Sequence, residues 1–200
     1  MDIYYTIKEA GSSRYTEKMS RFLSFAEAVR SADEAKAVIK RYQNEYHDAR
    51  HVCWAYMLGP ERKEWQLSDN GEPSGTAGKP ILGQINSLGL TDVLVVVVRY
   101  FGGIKLGTPG LIAAYREAAR LALEEAGKLE CRQMRRLSVE FGYENADGVM
   151  RVVKGSDVTV IEKTFDNMCH ILIEFPLDLE GEITGRLSKV EGVMIEIVEE

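Results

Sequence analysis

The chain has 200 residues, of which 45% are hydrophobic and 28% are charged. These proportions are typical of a soluble globular protein of one ordinary domain or two small ones. The longest apolar run, Val93–Val98, has six residues, whereas a membrane helix needs about 20, so a membrane-spanning protein is excluded.

The cysteines and the first residues indicate a cytoplasmic protein. The three cysteines lie far apart and form no CxxC pair. This usage favours a reducing compartment and argues against a disulfide framework or a cysteine-rich zinc site. The opening "MDIYYTIKEAGSS" lacks a basic patch followed by an apolar run, so we expect no signal peptide.

Charge is distributed unevenly along the chain. The formal net charge is −6, and residues 135–200 alone carry 7 Lys or Arg against 14 Asp or Glu. An acidic segment repels phosphate backbones at long range. If nucleic acid binds, the N-terminal part of the chain is the expected surface.

The N-terminal part is predicted to contain strands and one amphipathic helix. Alternation over Ile3–Ile7 and again over Thr16–Phe25, with "GSSR" between them, predicts a hairpin. Ser31 and Glu34 fit a capping box, and apolar residues then recur at helical spacing. Further strands are predicted at Val52–Leu58 and Trp65–Leu67, each bounded by turn residues.

A central strand and two further helices follow. Lys79–Leu88 is predicted to be a short helix, and "DVLVVVVRY" is apolar on both faces, as the central strand of a sheet is. Thr108 and Pro109 are predicted to start a long helix, with Thr108 as its N-cap.

The pattern restarts near Arg132–Arg136. From there the predicted order is β-α-β-β-α-β, the ferredoxin-like split βαβ unit. We therefore predict an α+β protein with two domains, residues 1–131 and residues 132–200.

Two glycine-rich loops carry the candidate binding residues. "DNGEPSGTAG" precedes the short helix, and "GGIKLGTPG" lies between the central strand and the long helix. Glycine lets a backbone approach a ligand, and helix N-termini suit anions, although both loops could equally be tight turns. Neither matches a nucleotide-binding motif. The candidate anion-binding residues are Gly71, Gly75, Lys79, Arg99, Gly102, Gly103, Lys105 and Thr108.

Three residues are weaker candidates for acid–base catalysis. Asp69 and Glu72 could act as paired carboxylates, with His51 as a third group. The favoured alternative is that the two carboxylates fix their loop by accepting backbone N–H bonds. His47 and His51 have the i, i+4 spacing of metal ligands, but the helix is predicted to end between them. Neither a metal site nor a cofactor is expected.

The two loops together resemble the IMPACT family, also called the YigZ family. The matching stretches are "SDNGEPSGTAGKPIL" and "VVVVRYFGGIKLGTPGLIAAY", with "HVCWAYMLG" upstream and "SRF" at Ser20–Phe22. The resemblance implies a first domain like the second domain of ribosomal protein S-five. It also implies a C-terminal ferredoxin-like domain similar to one in elongation factor G, as in bacterial members of the family.

The resemblance implies a role near translation. Eukaryotic relatives restrain the starvation response by competing for the activator of an initiation-factor kinase, a pathway that bacteria lack. The expected partners are therefore RNA, the ribosome or a protein of the translation machinery, with no membrane partner. The alternatives are an enzyme acting on a small phosphorylated or peptide substrate between the loops, and a purely structural scaffold.

Three positions depart from the family pattern. Asn70 stands where an acidic residue is usual, Pro109 where glycine is usual and Ala113 where arginine is usual. The missing carboxylate and the missing arginine argue against a strict catalytic constellation. A binding function is therefore favoured over catalysis.

Overall fold

The computed structural model describes residues 2–154 and 157–198. The chain divides into two compact units, an N-terminal unit of residues 4–131 and a C-terminal unit of residues 132–200 together with residues 1–3. None of the described helices is long and apolar enough to cross a membrane. The mixed α and β content agrees with the predicted α+β class.

The first part of the chain contains seven strands and three helices. In chain order they are β1 (Ile3–Ile7), β2 (Gly11–Glu17), β3 (Ser20–Ala28), α1 (Ala32–Glu45), β4 (His51–Leu58), β5 (Glu64–Ser68), α2 (Gly78–Ser87), β6 (Val93–Tyr100), α3 (Gly107–Ala126) and β7 (Lys128–Arg132).

Strand β6 lies in the centre of a five-stranded sheet, as its apolar sequence predicts. The order is β2-β3-β6-β4-β5, and every neighbouring pair is antiparallel. Residues 93, 95 and 97 pack with α2 and α3, while residues 94, 96 and 98 pack with α1. Because helices cover both faces, neither side of this strand needs polar residues.

The start of α1 confirms the predicted cap. The Ser31 hydroxyl accepts the Glu34 N–H at 3.1 Å. The Glu34 carboxylate accepts the N–H of Arg30 at 2.8 Å, one residue before the partner expected in a capping box. The helix then buries Ala35, Ile39 and Tyr42 against the sheet.

The predicted hairpin between Ile3–Ile7 and Thr16–Phe25 is wrong. Strand β2 includes "GSSR" and pairs with β3 through a two-residue turn at Lys18 and Met19, whose φ values are 44° and 65°. Non-glycine residues seldom adopt this geometry, so the sequence gives no turn signal there.

Gly11 lies against α3, where a Cβ would come within 2.3 Å of the Ala122 carbonyl oxygen. Strand β1 instead joins β7 in a two-stranded sheet.

The C-terminal unit has the predicted β-α-β-β-α-β order. Its sheet order is β11-β8-β10-β9 and is antiparallel throughout. Alternate residues of β8 and β10 pack with both helices in one apolar core. The elements are β8 (Met134–Phe141), α4 (Ala146–Val153), β9 (Thr159–Phe165), β10 (Cys169–Pro176), α5 (Glu180–Leu187) and β11 (Met194–Val198).

Candidate functional site

Asp69 organises the first glycine-rich loop. Its carboxylate accepts the backbone N–H groups of Gly75, Ala77 and Gly78 at 2.8–3.0 Å. Burial raises the pKa of this carboxyl, but the three N–H bonds and the charge of Lys79 outweigh burial, and the pKa is lowered overall. The loop-fixing interpretation of Asp69 is therefore confirmed, and this carboxylate also stabilises the start of α2, which has no side-chain cap of its own.

The residue after Asp69 ties the loop to strand β4. Asn70 has φ 39°, a conformation that asparagine adopts more readily than most residues. Its side-chain oxygen accepts the Val52 N–H at 3.2 Å, and its backbone oxygen lies 2.9 Å from His51 Nδ1. A carbonyl only accepts, so Nδ1 carries a proton. His51 Nε2 is then directed toward Glu72, 3.9 Å from Oε1.

Glu72 forms a buried polar network with side chains and not with the backbone. Its Oε1 accepts Arg99 Nη1 at 2.7 Å and the Tyr115 hydroxyl at 2.7 Å. The side chains of Glu72 and Arg99 are only 3% and 7% exposed. The prediction that Glu72 accepts backbone N–H bonds is therefore wrong, because Arg99 and Tyr115 from distant elements take its acceptor positions.

Tyr115, a member of the network, and Cys53, which borders it, are unsuited to proton transfer or nucleophilic attack near neutral pH. Burial, together with the neighbouring Cys53 and Glu72, raises the pKa of the Tyr115 hydroxyl, so it serves as a hydrogen-bond donor. Burial raises the pKa of the Cys53 thiol to about 12. A thiol protonated at neutral pH is a weak nucleophile, so Cys53 has a packing role.

Arg99 connects the network to the second glycine-rich loop. Its guanidinium lies over the rings of Phe22 and Phe101, with Cζ 5.7 and 5.8 Å from the centroids. Its Nε is buried and has no hydrogen-bond partner among the described residues. The Gly102 N–H donates to Ser20 Oγ, and a Cβ at Gly102 would lie 2.0 Å from the backbone carbon of Met19. Glycine is therefore needed at this close approach.

Helix α3 begins earlier than predicted. Leu106 occupies the N-cap position without a side-chain cap hydrogen bond, and Gly107, the first residue of the helix, has φ 72°. The prediction of Thr108 as N-cap is wrong, because the fixed φ of Pro109 suits any position of the first turn and does not define the first residue. The N–H groups of Leu106, Gly107 and Thr108 precede the first intrahelical hydrogen bond.

Residues of the two glycine-rich loops, the start of β4 and the start of α3 surround a cleft of about 400 Å³, which we call the α3 cleft. It brings together five of the predicted candidates: His51, Glu72, Arg99, Lys105 and Thr108. The remaining lining residues were not predicted from the sequence, although most adjoin the loop motifs. They are Arg50, Pro73, Phe101, Leu106, Gly107 and Leu111.

The other predicted candidates lie outside this cleft lining. Gly75 and Lys79 line a second depression of about 360 Å³ together with Arg116. Gly71 lies against the His51 ring, and Gly102 uses its N–H for Ser20. Gly103, with φ 89°, lies in the bend that follows.

The histidine pair does not have helical metal-site geometry. Helix α1 ends at Glu45 and His51 starts β4. Within the part of the chain that the structure describes, no group of three or more His, Cys, Asp or Glu side chains could hold a metal ion.

Comparison with known proteins identifies the family. Residues 18–123 match the model of the Impact N-terminal domain. The chain is 39% identical over 140 residues to the IMPACT family member YvyE of Bacillus subtilis, covering 70% of this chain and 64% of that protein. It is 32% identical over 173 residues to the IMPACT family member YigZ of Escherichia coli, covering 86% of this chain and 85% of that protein.

A solved structure agrees with the fold over the full length. A crystal structure described as that of a hypothetical protein superposes with a TM-score of 0.74 at 28% identity. The match covers 100% of this chain and 99% of that one. The sequence motifs, the matching family model and the relatives agree: the chain belongs to the IMPACT family.

Proposed function

We propose that this protein is a cytoplasmic binding module of the translation machinery that contacts RNA, free or in the ribosome, through the α3 cleft. The main support for the proposal is the cationic lining of the cleft at the start of a helix. Arg50, Arg99 and Lys105 line it, and Glu72 is the one carboxylate among its described lining residues. Glu72 is already paired with Arg99.

The two exposed cations at the cleft are available to a ligand. Among the described residues, no ion pair or hydrogen bond engages the side chain of Arg50 or Lys105. Exposed cations are commonly unpaired in this way. The N–H groups at the start of α3 add partial positive charge beside them. Phosphate oxygens are the groups that such a combination binds.

The second depression extends the cationic surface along the same loop. Pro73 lines the α3 cleft, and Gly75, two residues later, lines the depression with Lys79 and Arg116. Its described lining contains no carboxylate. Two neighbouring cationic hollows suit the repeated phosphates of a nucleic-acid backbone better than an isolated ion.

The architecture is consistent with this role. We propose that residues 1–131 form a domain like the second domain of ribosomal protein S-five. We also propose that residues 132–200 form a ferredoxin-like domain similar to one in elongation factor G. The antiparallel order β11-β8-β10-β9 supports the second proposal. The net charge of −7 over residues 135–200 favours RNA contact by the N-terminal unit.

A charge reversal at the cleft tests the RNA proposal. The Lys105→Glu variant is expected to bind short single-stranded RNA at least about tenfold more weakly, because a hydrogen bond to a charged group contributes roughly 1.5–3 kcal/mol. The slope of log affinity against log salt is expected to fall by about one. Fluorescence anisotropy over a salt series measures both.

Lys40→Glu is the matched control. It makes the same change of charge on an exposed residue of α1, which packs on the opposite face of the sheet. Equal affinities of the two variants, or binding that does not respond to salt, would contradict the proposal. In a lysate pull-down, loss of RNA from the Lys105→Glu variant supports it. If the wild type retains a protein partner but no RNA, that protein and not RNA is the ligand.

An enzyme is the second candidate, favoured by one observation. His51 Nε2 and Glu72 Oε1 lie 3.9 Å apart at the wall of the cleft. A histidine beside a carboxylate suits proton transfer to or from a small phosphorylated or peptide substrate. If the protein is such an enzyme, His51→Gln is expected to lower turnover by about a hundredfold or more. Unchanged turnover would remove His51 from the mechanism.

A further inference from the structure

The α3 cleft has two chemically different sides. Its apolar lining residues are Pro73, Phe101, Leu106 and Leu111. Arg50, Lys105 and the first turn of α3 supply the positive side. An inorganic phosphate or a bare sugar phosphate would use only the second side. The ligand that matches both has a flat apolar part joined to a phosphate.

Phe101 provides a surface for the flat part. The residue is 52% exposed although it lines a cleft. The Arg99 guanidinium lies near its ring, 5.8 Å from the centroid. An aromatic ring supported in this way and open to the cleft is suited to stacking on a nucleobase, and such stacking tolerates any base.

The phosphate side has two independent features. The N–H groups of Leu106, Gly107 and Thr108 stand at the start of a 20-residue helix, without a side-chain cap at Leu106. Arg99, which also lines the cleft, is 6% exposed, and its Nε has no hydrogen-bond partner among the described residues. Because Glu72 pairs with the charge of this guanidinium, Arg99 contributes an unused Nε–H donor at the cleft wall and not a free positive charge.

The size of the cleft restricts the ligand. Small-molecule pockets commonly measure about 300–1,000 Å³, and the α3 cleft, at about 400 Å³, lies near the lower end. It can hold one nucleotide and not a duplex. We infer that the cleft binds a single 5′-mononucleotide unit, with its base on Phe101 and its phosphate at Lys105 and the start of α3. This inference rests on the proposed phosphate-binding function.

Calorimetric titration of the full chain with adenosine 5′-monophosphate and with ribose 5-phosphate separates the two sides. The nucleotide is expected to bind about 5- to 150-fold more tightly than the sugar phosphate, because only the nucleotide stacks. Phe101→Ala is expected to remove that advantage and leave ribose 5-phosphate unchanged, whereas Lys105→Glu is expected to weaken both. Trp65→Ala, at a 51% exposed aromatic outside the cleft lining, is the control and is expected to change neither.

A competition experiment distinguishes the 5′ end of an RNA from a free nucleotide as the ligand. Displacement of adenosine 5′-monophosphate by a short RNA with a 5′-phosphate, but not by the same RNA with a 5′-hydroxyl, would support an RNA end as the ligand. Displacement by neither RNA would support a free nucleotide. Equal affinity for nucleotide and sugar phosphate, or unchanged nucleotide affinity in Phe101→Ala, would overturn the inference.

These experiments distinguish failure of the nucleotide inference from failure of the RNA-binding proposal. If the nucleotide does not bind while Lys105-dependent RNA binding persists, the nucleotide inference is wrong and the proposed function stands. If neither the nucleotide nor RNA binds, both are wrong.

Discussion

Replacing Glu72 with alanine is expected to destabilise the N-terminal unit by about 3–5 kcal/mol, because it leaves the charge of Arg99 buried without a partner. Arg99 is 6% exposed and has no second carboxylate partner among the described residues. Tyr115 loses its hydrogen-bond acceptor in the same change. For a chain of this length the melting temperature is expected to fall by roughly 6–20 °C, as measured by calorimetry.

Glu117→Ala is the control for this result. Glu117 pairs with Arg120 at 2.7 Å, but these side chains are 36% and 39% exposed. An exposed ion pair contributes about 0–1 kcal/mol, so this variant is expected to melt close to the wild type. Similar effects of the two variants would contradict the account of the buried network.

The double variant Glu72→Leu with Arg99→Met sharpens the test. Removing both charges avoids the unpaired buried ion, so the double variant is expected to be more stable than Glu72→Ala. A double variant less stable than Glu72→Ala would contradict the unpaired charge as the main cause of the loss. It would point instead to other contacts of Arg99, such as those with Phe22 and Phe101.

Replacing Asp69 with alanine is expected to cost at least about 3 kcal/mol. The change leaves three backbone N–H groups without their acceptor, and each unsatisfied buried group costs roughly 1–3 kcal/mol. These groups belong to Gly75, Ala77 and Gly78, so the loop and the start of α2 are expected to loosen together. Amide hydrogen exchange should then increase in the first turn of α2. Unchanged protection there would contradict the role assigned to Asp69.

Asp69 is also expected to make stability depend on pH. Its folded-state pKa is lowered from the ordinary value of 3.8. Because the folded-state pKa is depressed, the contribution of ionised Asp69 to the free energy of unfolding is fully present above about pH 3.8. It is lost as the pH falls through the folded-state pKa. Asp69→Asn is therefore expected to lose less stability than the wild type during acidification from about pH 6 to about pH 3, as measured by urea unfolding. Asp33→Asn, whose carboxylate is 98% exposed, is the control.

Features of the fold that depend on neighbouring residues could be predicted from the sequence. The Ser31 cap and the doubly apolar strand β6 are examples, because a cap and a buried run are local patterns. The first hairpin could not be predicted, since Lys18 and Met19 adopt positive φ without being glycine or asparagine. Strand β7 was missed as well, because it is held by pairing with β1 from the other end of the unit.

The candidate site divides in the same way. The loops, their glycines and the role of Asp69 follow from local composition. The partners of Glu72 do not, because Arg99 and Tyr115 are 27 and 43 residues away along the chain. The same holds for the cleft lining, which brings Arg50, Phe101 and Leu111 together from separate parts of the chain.

Amide chemical-shift mapping during titration with short single-stranded RNA at low salt locates the RNA-binding surface residue by residue. Binding through the α3 cleft predicts that the largest shifts occur at Leu106, Gly107 and Thr108, where uncapped N–H groups meet the phosphate, and that Lys105→Glu reduces them. Shifts centred on α1 or on the C-terminal unit, or shifts at the α3 start that persist unchanged in Lys105→Glu, would contradict it.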